Sequence, residues 1–428
     1  MVSALCNLSV SEAAALIAQG KLTALALAEA CLAQVERREG AVQAWAHIDA
    51  EQVLAQARAC DGAPPRGLVH GIPIGVKDII DTADMPTEYG SPIYRGHRPR
   101  SDAACVAAWR AAGGIVMGKT ETVEFAVRHA TRTRNPHNLA HTPGGSSSGS
   151  AAAVADGMVP VALGTQTGGS TIRPAAYCGV VGYKPTHNVI ARAGVRPVSD
   201  SLDSVGLIAR TVRDVALTLA VLTDGTAPQL DVVSGRERRI GFYRTPFRDR
   251  LDAASASALE QLASALSRSG AKVEEAVMPP GFELAWNAQE TINEYETYHT
   301  CAYEREFFPE LLSAELQERL AKGARHTLEE YLTARSSIDR WRGTLNDAFS
   351  RYDVLLTPSA PGEAPVGLSE TGDAVFNRVW NALQVPAATV PIGRGDKGLP
   401  IGAQIVGPFG GDARTLAFAE LVHRTVAG

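Results

Sequence analysis

PGGSSSGS at residues 143–150 and GTQTGGSTIRPA at 164–175 are two serine- and glycine-rich runs, and GIPIGVKD at 71–78 sets a lysine between an apolar run and an aspartate. Serine-based acyl transfer needs a nucleophile, a base to take its proton, and hydrogen-bond donors for the oxyanion. The second run supplies a nucleophile in Ser170. It ends Thr167-Gly168-Gly169-Ser170, where two glycines let the backbone bend and expose consecutive N–H groups. Such a nest of amides can hold an oxyanion without any side chain. Gly-Gly by itself mostly marks a turn, so the combination of segments carries the reading. A lysine at its reference pKa of ~10.4 is a poor base, but burial disfavours its charged form. Lys77 follows Ile72-Pro73-Ile74-Gly75-Val76, a desolvating setting; alone it would read as a surface lysine or a partner of Asp78.

Working outward, VPVALGT (159–165) and GIVMGKT (114–120) read as buried strands, with Ala-rich helical stretches at 102–112 and 149–156 between them. This alternation predicts an α/β fold, a sheet covered by helices on both faces. RIGFYR, the Ala/Ser/Leu run at 252–269 and AKVEEAVM form one more strand–helix–strand unit within 238–280. Residues 281–350 turn helical, charged and aromatic, with Trp286, Tyr295, Tyr298, Phe307, Phe308 and Trp341, and read as a helical cap whose aromatics mostly pack. YDVLLTPSAP, AATVPIG and GAQIVG return to strand. Ser9 with Glu12 makes a capping box, and Thr23 starts a second helix. No linker stands out, so one domain over 1–428 is expected, with its core at about 65–220 and its cap at about 281–350.

At 428 residues, 45% hydrophobic and 20% charged, the chain suits a globular protein with a sizeable core. A net charge of −5 argues against nucleic acid as a partner. No run reaches the ~18 apolar residues that span a bilayer, and the N-terminus lacks a signal-peptide pattern. Six scattered cysteines without a CxxC read as thiols of a reducing cytoplasm. The ten histidines show no metal-ligand spacing. The expectation is therefore a cytoplasmic protein with no metal, no cofactor, no nucleic acid and no membrane partner.

The three segments together resemble the amidase signature family of serine amidohydrolases. GKTETVEFA (118–126), CGVVGYKPT (178–186), Leu202 to Arg210 and GLPIGAQIVG (398–407) extend the likeness over most of the chain, with 281–350 least alike. The resemblance implies that fold, with a central mixed twisted sheet, and a triad in which Lys77 matches the family's lysine, Ser146 its cis-peptide serine and Ser170 its nucleophile. The two serines stand 24 residues apart, as in the family. A neutral Lys77 then takes the proton of Ser170 through Ser146, while the amides of Thr167, Gly168 and Gly169 line the oxyanion hole. The family often has Asp where this chain has Gln166, which would hold the oxyanion loop by hydrogen bonds. Ser170-Thr171-Ile172-Arg173 is spelled as in the malonamidase-like branch, where the matching arginine grips a carboxylate; Arg173 either does this or braces its own loop. Gly145, Tyr89 and Ser91 are further pocket candidates. Arg128, His129, Arg132 and Arg134 form a basic cluster that either favours an anionic substrate or makes structural pairs.

Two motifs compete with this reading. Gly113 to Thr120 spells G-x-x-x-x-G-K-T, but a phosphate-binding loop needs a strand before it, and AACVAAWRAA is helical. Gly145 to Gly149 matches G-x-S-x-G, which would make Ser147 the nucleophile, but NPHNLAHTP before it is a poor strand. The expected function is cleavage of a small-molecule amide through a serine acyl-enzyme, with release of ammonia or an amine, by a protein that the resemblance makes a homodimer. The alternatives are an amidotransferase A-type subunit that passes ammonia to a partner, an ester, carbamate or urea-derivative hydrolase, and a silent binding protein.

Overall fold

Eleven strands among the described residues join in one sheet. The structure is a computed structural model that describes residues 5–127, 129–231 and 237–427. In chain order the strands are β1 (Trp45–Ile48), β2 (Pro73–Lys77), β3 (Ile115–Thr120), β4 (Val161–Gln166), β5 (Val181–Lys184), β6 (Ser204–Ala209), β7 (Arg239–Phe242), β8 (Lys272–Glu275), β9 (Val354–Pro358), β10 (Ala387–Arg394) and β11 (Pro400–Val406). Their order across the sheet is β1-β3-β2-β4-β6-β5-β10-β11-β9-β7-β8. β2 runs parallel to both β3 and β4, whereas β6, β5, β10 and β11 continue antiparallel, so the sheet is mixed. Every residue of β2, β3, β4, β6, β9 and β11 is buried. Strands buried at every position need cover on both faces, and the flanking helices supply it.

The helices begin where the sequence marks them. Ser9 and Glu12 close a capping box on Val10–Ala18, and the Thr23 hydroxyl accepts from the Ala26 amide at the start of Ala24–Val42. Helix Ser148–Ala155 packs on β2, β3, β4 and β6, and Ile172–Cys178 packs on β5, β10 and β11. The cap consists of Leu284–Thr300, Ala302–Phe307, Ala314–Gly323 and Leu328–Arg351. Its aromatics divide as expected. Trp286 meets Phe282 edge to face within a cluster with Trp341, Trp380 and Tyr243, and its Nε1 donates to the Val375 carbonyl. Tyr295 stacks on Tyr331, while Phe307 is exposed.

The approach of Ser148–Ala155 to the sheet edge is set by Gly149. A Cβ there would lie 2.1 Å from the Ala44 carbonyl oxygen and 2.4 Å from the Glu121 amide nitrogen. Both obstacles are backbone, so they have little room to yield. Gly149→Ala is expected to destabilise the protein by about 1–3 kcal/mol through overpacking, read as a lower denaturation midpoint; an unchanged midpoint would contradict this packing.

Candidate active site

The parallel pair β2 and β4 ends on one edge of the sheet, with Val76 opposite Leu163. Ligands in open α/β sheets gather outside such carboxyl ends. Here the edge carries Lys77 from β2 and Thr165 and Gln166 from β4. Two helices start beside it, directly after the serine-rich runs, so the chain brings all three segments to one place.

Lys77 is wholly buried. Its Nζ donates to the Ser146 Oγ and the Thr165 Oγ1, each at 2.7 Å. Burial drives its pKa well below the usual lysine value, and the field of Asp203 pulls part of the way back. The Gly145–Ser146 peptide is cis. The Ser147 amide donates to the Ser170 carbonyl at 3.2 Å, which sets the two serine segments side by side. Ser170, Thr167, Gly168, Gly169 and Arg173 line a cavity of about 550 Å³. Among the described residues, the amides of Thr167 to Ser170 donate no turn, loop or cap hydrogen bond.

The loop bearing those amides is braced from behind. The Gln166 Oε1 accepts from the Thr171 and Ile172 amides at 2.9 and 3.0 Å, so Gln166 works by hydrogen bonds and lies behind the cavity. Asn381 Nδ2 donates to the Thr167 carbonyl at 2.8 Å, and Gln289 Nε2 to the same oxygen at 3.3 Å. A Cβ on Gly169 would come within 2.6 Å of the Asn377 Oδ1, so the position requires glycine.

Other sequence candidates fall differently. Arg173 donates to the Gly372 and Gly145 carbonyls, both at 2.6 Å, and to the Thr371 hydroxyl at 3.1 Å. It ties the cis segment to the 371–372 loop, which is the bracing alternative, and Gly145 enters through that carbonyl. Tyr89 and Ser91 are buried and are not among the residues that line the cavity. The Tyr89 hydroxyl donates to Asp81, and the Ser91 hydroxyl accepts from the Ile93 amide. Arg132 pairs with Glu121, Arg134 donates to the Leu139 carbonyl and His129 faces Glu315, while Arg128 lies outside the described residues. The basic cluster is thus engaged in protein contacts.

Both competing motifs fail on geometry. β3 occupies the would-be phosphate loop, and Lys119 is buried with its Nζ on the Ile80 carbonyl and the Thr87 hydroxyl. The Ser147 hydroxyl is locked against β4, donating to the Thr165 carbonyl and accepting from the Thr165 amide. Thr165, Asp203, Gln289, Asn377 and Asn381 were not legible as site residues. Thr165 and Asp203 lie inside segments that carry the family likeness, whereas the others arrive from distant helices. Among the described residues no three His, Cys, Asp or Glu side chains are grouped to hold a metal ion, and no helix is long and apolar enough to cross a membrane.

Comparison with known proteins shows the family. The chain belongs to the amidase family, whose model matches residues 26–416, and it is an enzyme of that family. It is 35% identical to the A subunit of the glutamyl-tRNA(Gln) amidotransferase of Chloroflexus aggregans, over 94% of this chain and 93% of that protein. The protein of the same name from Roseiflexus castenholzii is 34% identical over 94% and 92%. Among solved structures, the native peptide amidase from Stenotrophomonas maltophilia superposes with a TM-score of 0.86 at 28% identity, covering 99% of this chain and 97% of that one. A chain described under a vestigial protein complex and the origins of an s-triazine catabolic enzyme gives 0.89 at 28%, covering 97% and 98%.

These relatives overturn the expectation of a homodimer with no nucleic acid. Their name is that of one component of a multi-subunit enzyme acting on a charged tRNA. Net charge describes a single chain and counts nothing that partner subunits contribute, so −5 could not decide the matter.

Gln166→Leu would leave two buried amides without an acceptor. A loss of about 1–3 kcal/mol of stability is expected, measured by denaturant unfolding; wild-type stability would show that Gln166 does not hold the loop.

Proposed function

We propose that this chain cleaves an amide C–N bond through a serine acyl-enzyme and supplies the released ammonia as the amide-cleaving component of an amidotransferase-type assembly. The observation that carries the chemistry is the buried Lys77 Nζ at 2.7 Å from the Ser146 hydroxyl, beside the cavity that Ser170 lines. The partnership is supported by the relatives named as amidotransferase subunits. On this reading the chain works as one domain in the cytoplasm; the single sheet spanning residues 45 to 406 and the six buried thiols favour that.

Ser170 Oγ attacks the amide carbon and passes its proton to Ser146, which passes its own to the neutral Lys77. The amides of Thr167 to Ser170 hold the oxyanion. On collapse the C–N bond breaks and the relay returns the proton to the departing nitrogen. Water then attacks the acyl-enzyme with the same relay as base, which frees the acid and regenerates Ser170. The burial that makes Lys77 a base also sets the pH dependence. Activity requires the neutral amine, so it holds above the lowered pKa of Lys77 and is lost as pH falls through it.

A second reading, a free-standing amidase, is favoured by the nearly complete superposition on the peptide amidase. Ammonia release from glutamine and from short neutral and carboxylate-bearing amides, with Ser170→Ala as blank, separates the two. Preference for glutamine supports the amidotransferase role, and preference for the other amides supports the free-standing one. In either case Ser170→Ala is expected to lose at least about a thousandfold in kcat; retained activity would contradict the mechanism.

A further inference from the structure

The oxyanion loop has a buried carboxylate behind it that neither serine run announces. Asp203 opens the turn into β6. Its Oδ1 accepts from the Thr167 hydroxyl, and its Oδ2 accepts from the amides of Val198 at 2.7 Å and Ser199 at 3.0 Å. Three donors therefore converge on one dry carboxylate. Two come from the 198–203 loop and the third from the first residue of the oxyanion segment. That loop is itself anchored to the cap. Glu296 of helix Leu284–Thr300 accepts from the Ser199 hydroxyl and from the amide and hydroxyl of Ser201. Asn381 joins the Leu202 and Thr167 carbonyls from the other side, at 2.7 and 2.8 Å.

We propose, on the strength of the Ser170 reading above, that Asp203 is a positioning residue for amide cleavage: it fixes the oxyanion loop through Thr167. A carboxylate that accepts three hydrogen bonds cannot drift, so Thr167 cannot swing its amide away from the cavity. The same charge, in a dry setting, favours the ammonium form of Lys77 and opposes the desolvation that lowers its pKa. Asp203 thus moderates how basic the relay is. Among the described residues, the field of Arg192 in the preceding loop acts on Asp203 and that of Asp203 acts on Lys77, and Glu296 reaches Asp203 through Ser199. Burial raises the Asp203 pKa to about 6, so its own charge fades below that pH.

The test is the pH profile of kcat/KM for ammonia release by the whole protein, on whichever amide in the panel above it turns over fastest. Asp203→Asn removes the charge and disturbs the Thr167 contact. It is expected to lower kcat by about tenfold or more with KM changed less than about threefold, as for a contact that matters mainly in the transition state. Without its negative neighbour Lys77 loses its proton more readily, so the acid limb should move to lower pH. Thr167→Val removes only the hydroxyl donor and should lower kcat without moving that limb. Wild-type kcat in Asp203→Asn, or a loss confined to KM, would overturn the proposal. If Asp203→Asn does not fold, Thr167→Val decides: wild-type kcat in that variant overturns the proposal as well. Ser170→Ala, assayed alongside, distinguishes the two failures. Activity surviving it removes the Ser170 reading, whereas an inactive Ser170→Ala with wild-type kcat in Asp203→Asn removes only the role of Asp203.

Discussion

A lysine with no solvent contact is the constraint around which this molecule is arranged. Lys77 ends a strand whose five residues are all buried, and helix Ser148–Ala155 packs across that strand. In such surroundings a charged ammonium is costly and a neutral amine is tolerated. Two hydroxyls, Ser146 and Thr165, meet its Nζ, and no carboxylate contacts it directly. Lys119, on the neighbouring strand β3, shows the contrast. It too is fully buried, but Asp78 stands 3.5 Å away, and its pKa falls only to about 8. One buried lysine is paired with a carboxylate; the other faces two hydroxyls.

The loop at 167–170, the proposed oxyanion loop, follows the same logic in reverse. It lines the cavity while its carbonyls and flanks are tied down by Gln166, Gln289, Asn381 and Asp203. Preorganised donors cost no rearrangement when charge develops on the substrate oxygen. Close packing enforces the geometry, since Gly169 abuts Asn377 and Gly144 abuts Pro174 with no room for a Cβ. The cap contributes Gln289 and Glu296, so the least family-like part of the chain still supports the most family-like part.

What could be read from the sequence divides along a physical line. Strands and helices were legible because their signals are local: apolar runs at 115–120 and 161–166, caps at Ser9 and Thr23. Lys77, Ser146 and Ser170 could be singled out because short, unusual spellings mark them, and the structure places Lys77 on Ser146 and Ser170 at a cavity. Arg173 was ambiguous because its partners, Gly145, Thr371 and Gly372, lie up to about two hundred residues away, and only the fold brings them together. The same holds for Asn377 and Asn381. Tyr89 and Ser91 sit near Lys77 in sequence, yet their hydroxyls bond to Asp81 and the Ile93 amide and they do not line the cavity. The expectation of a homodimer with no nucleic acid failed for another reason: the net charge of one chain says nothing of the subunits its relatives are named for.

The most direct single measurement is the protonation state of Lys77 itself. Lysine labelled with ¹³C and ¹⁵N at the side-chain terminus, with Lys77→Met to assign the signal, allows the amine to be titrated by NMR in the intact protein. Burial among hydroxyls predicts a resonance that reports a neutral amine throughout the pH range of activity and an ammonium only below the acid limb. A Lys77 that titrates near the ordinary lysine value, ~10.4, would leave no base for Ser146 and would contradict the relay at its source.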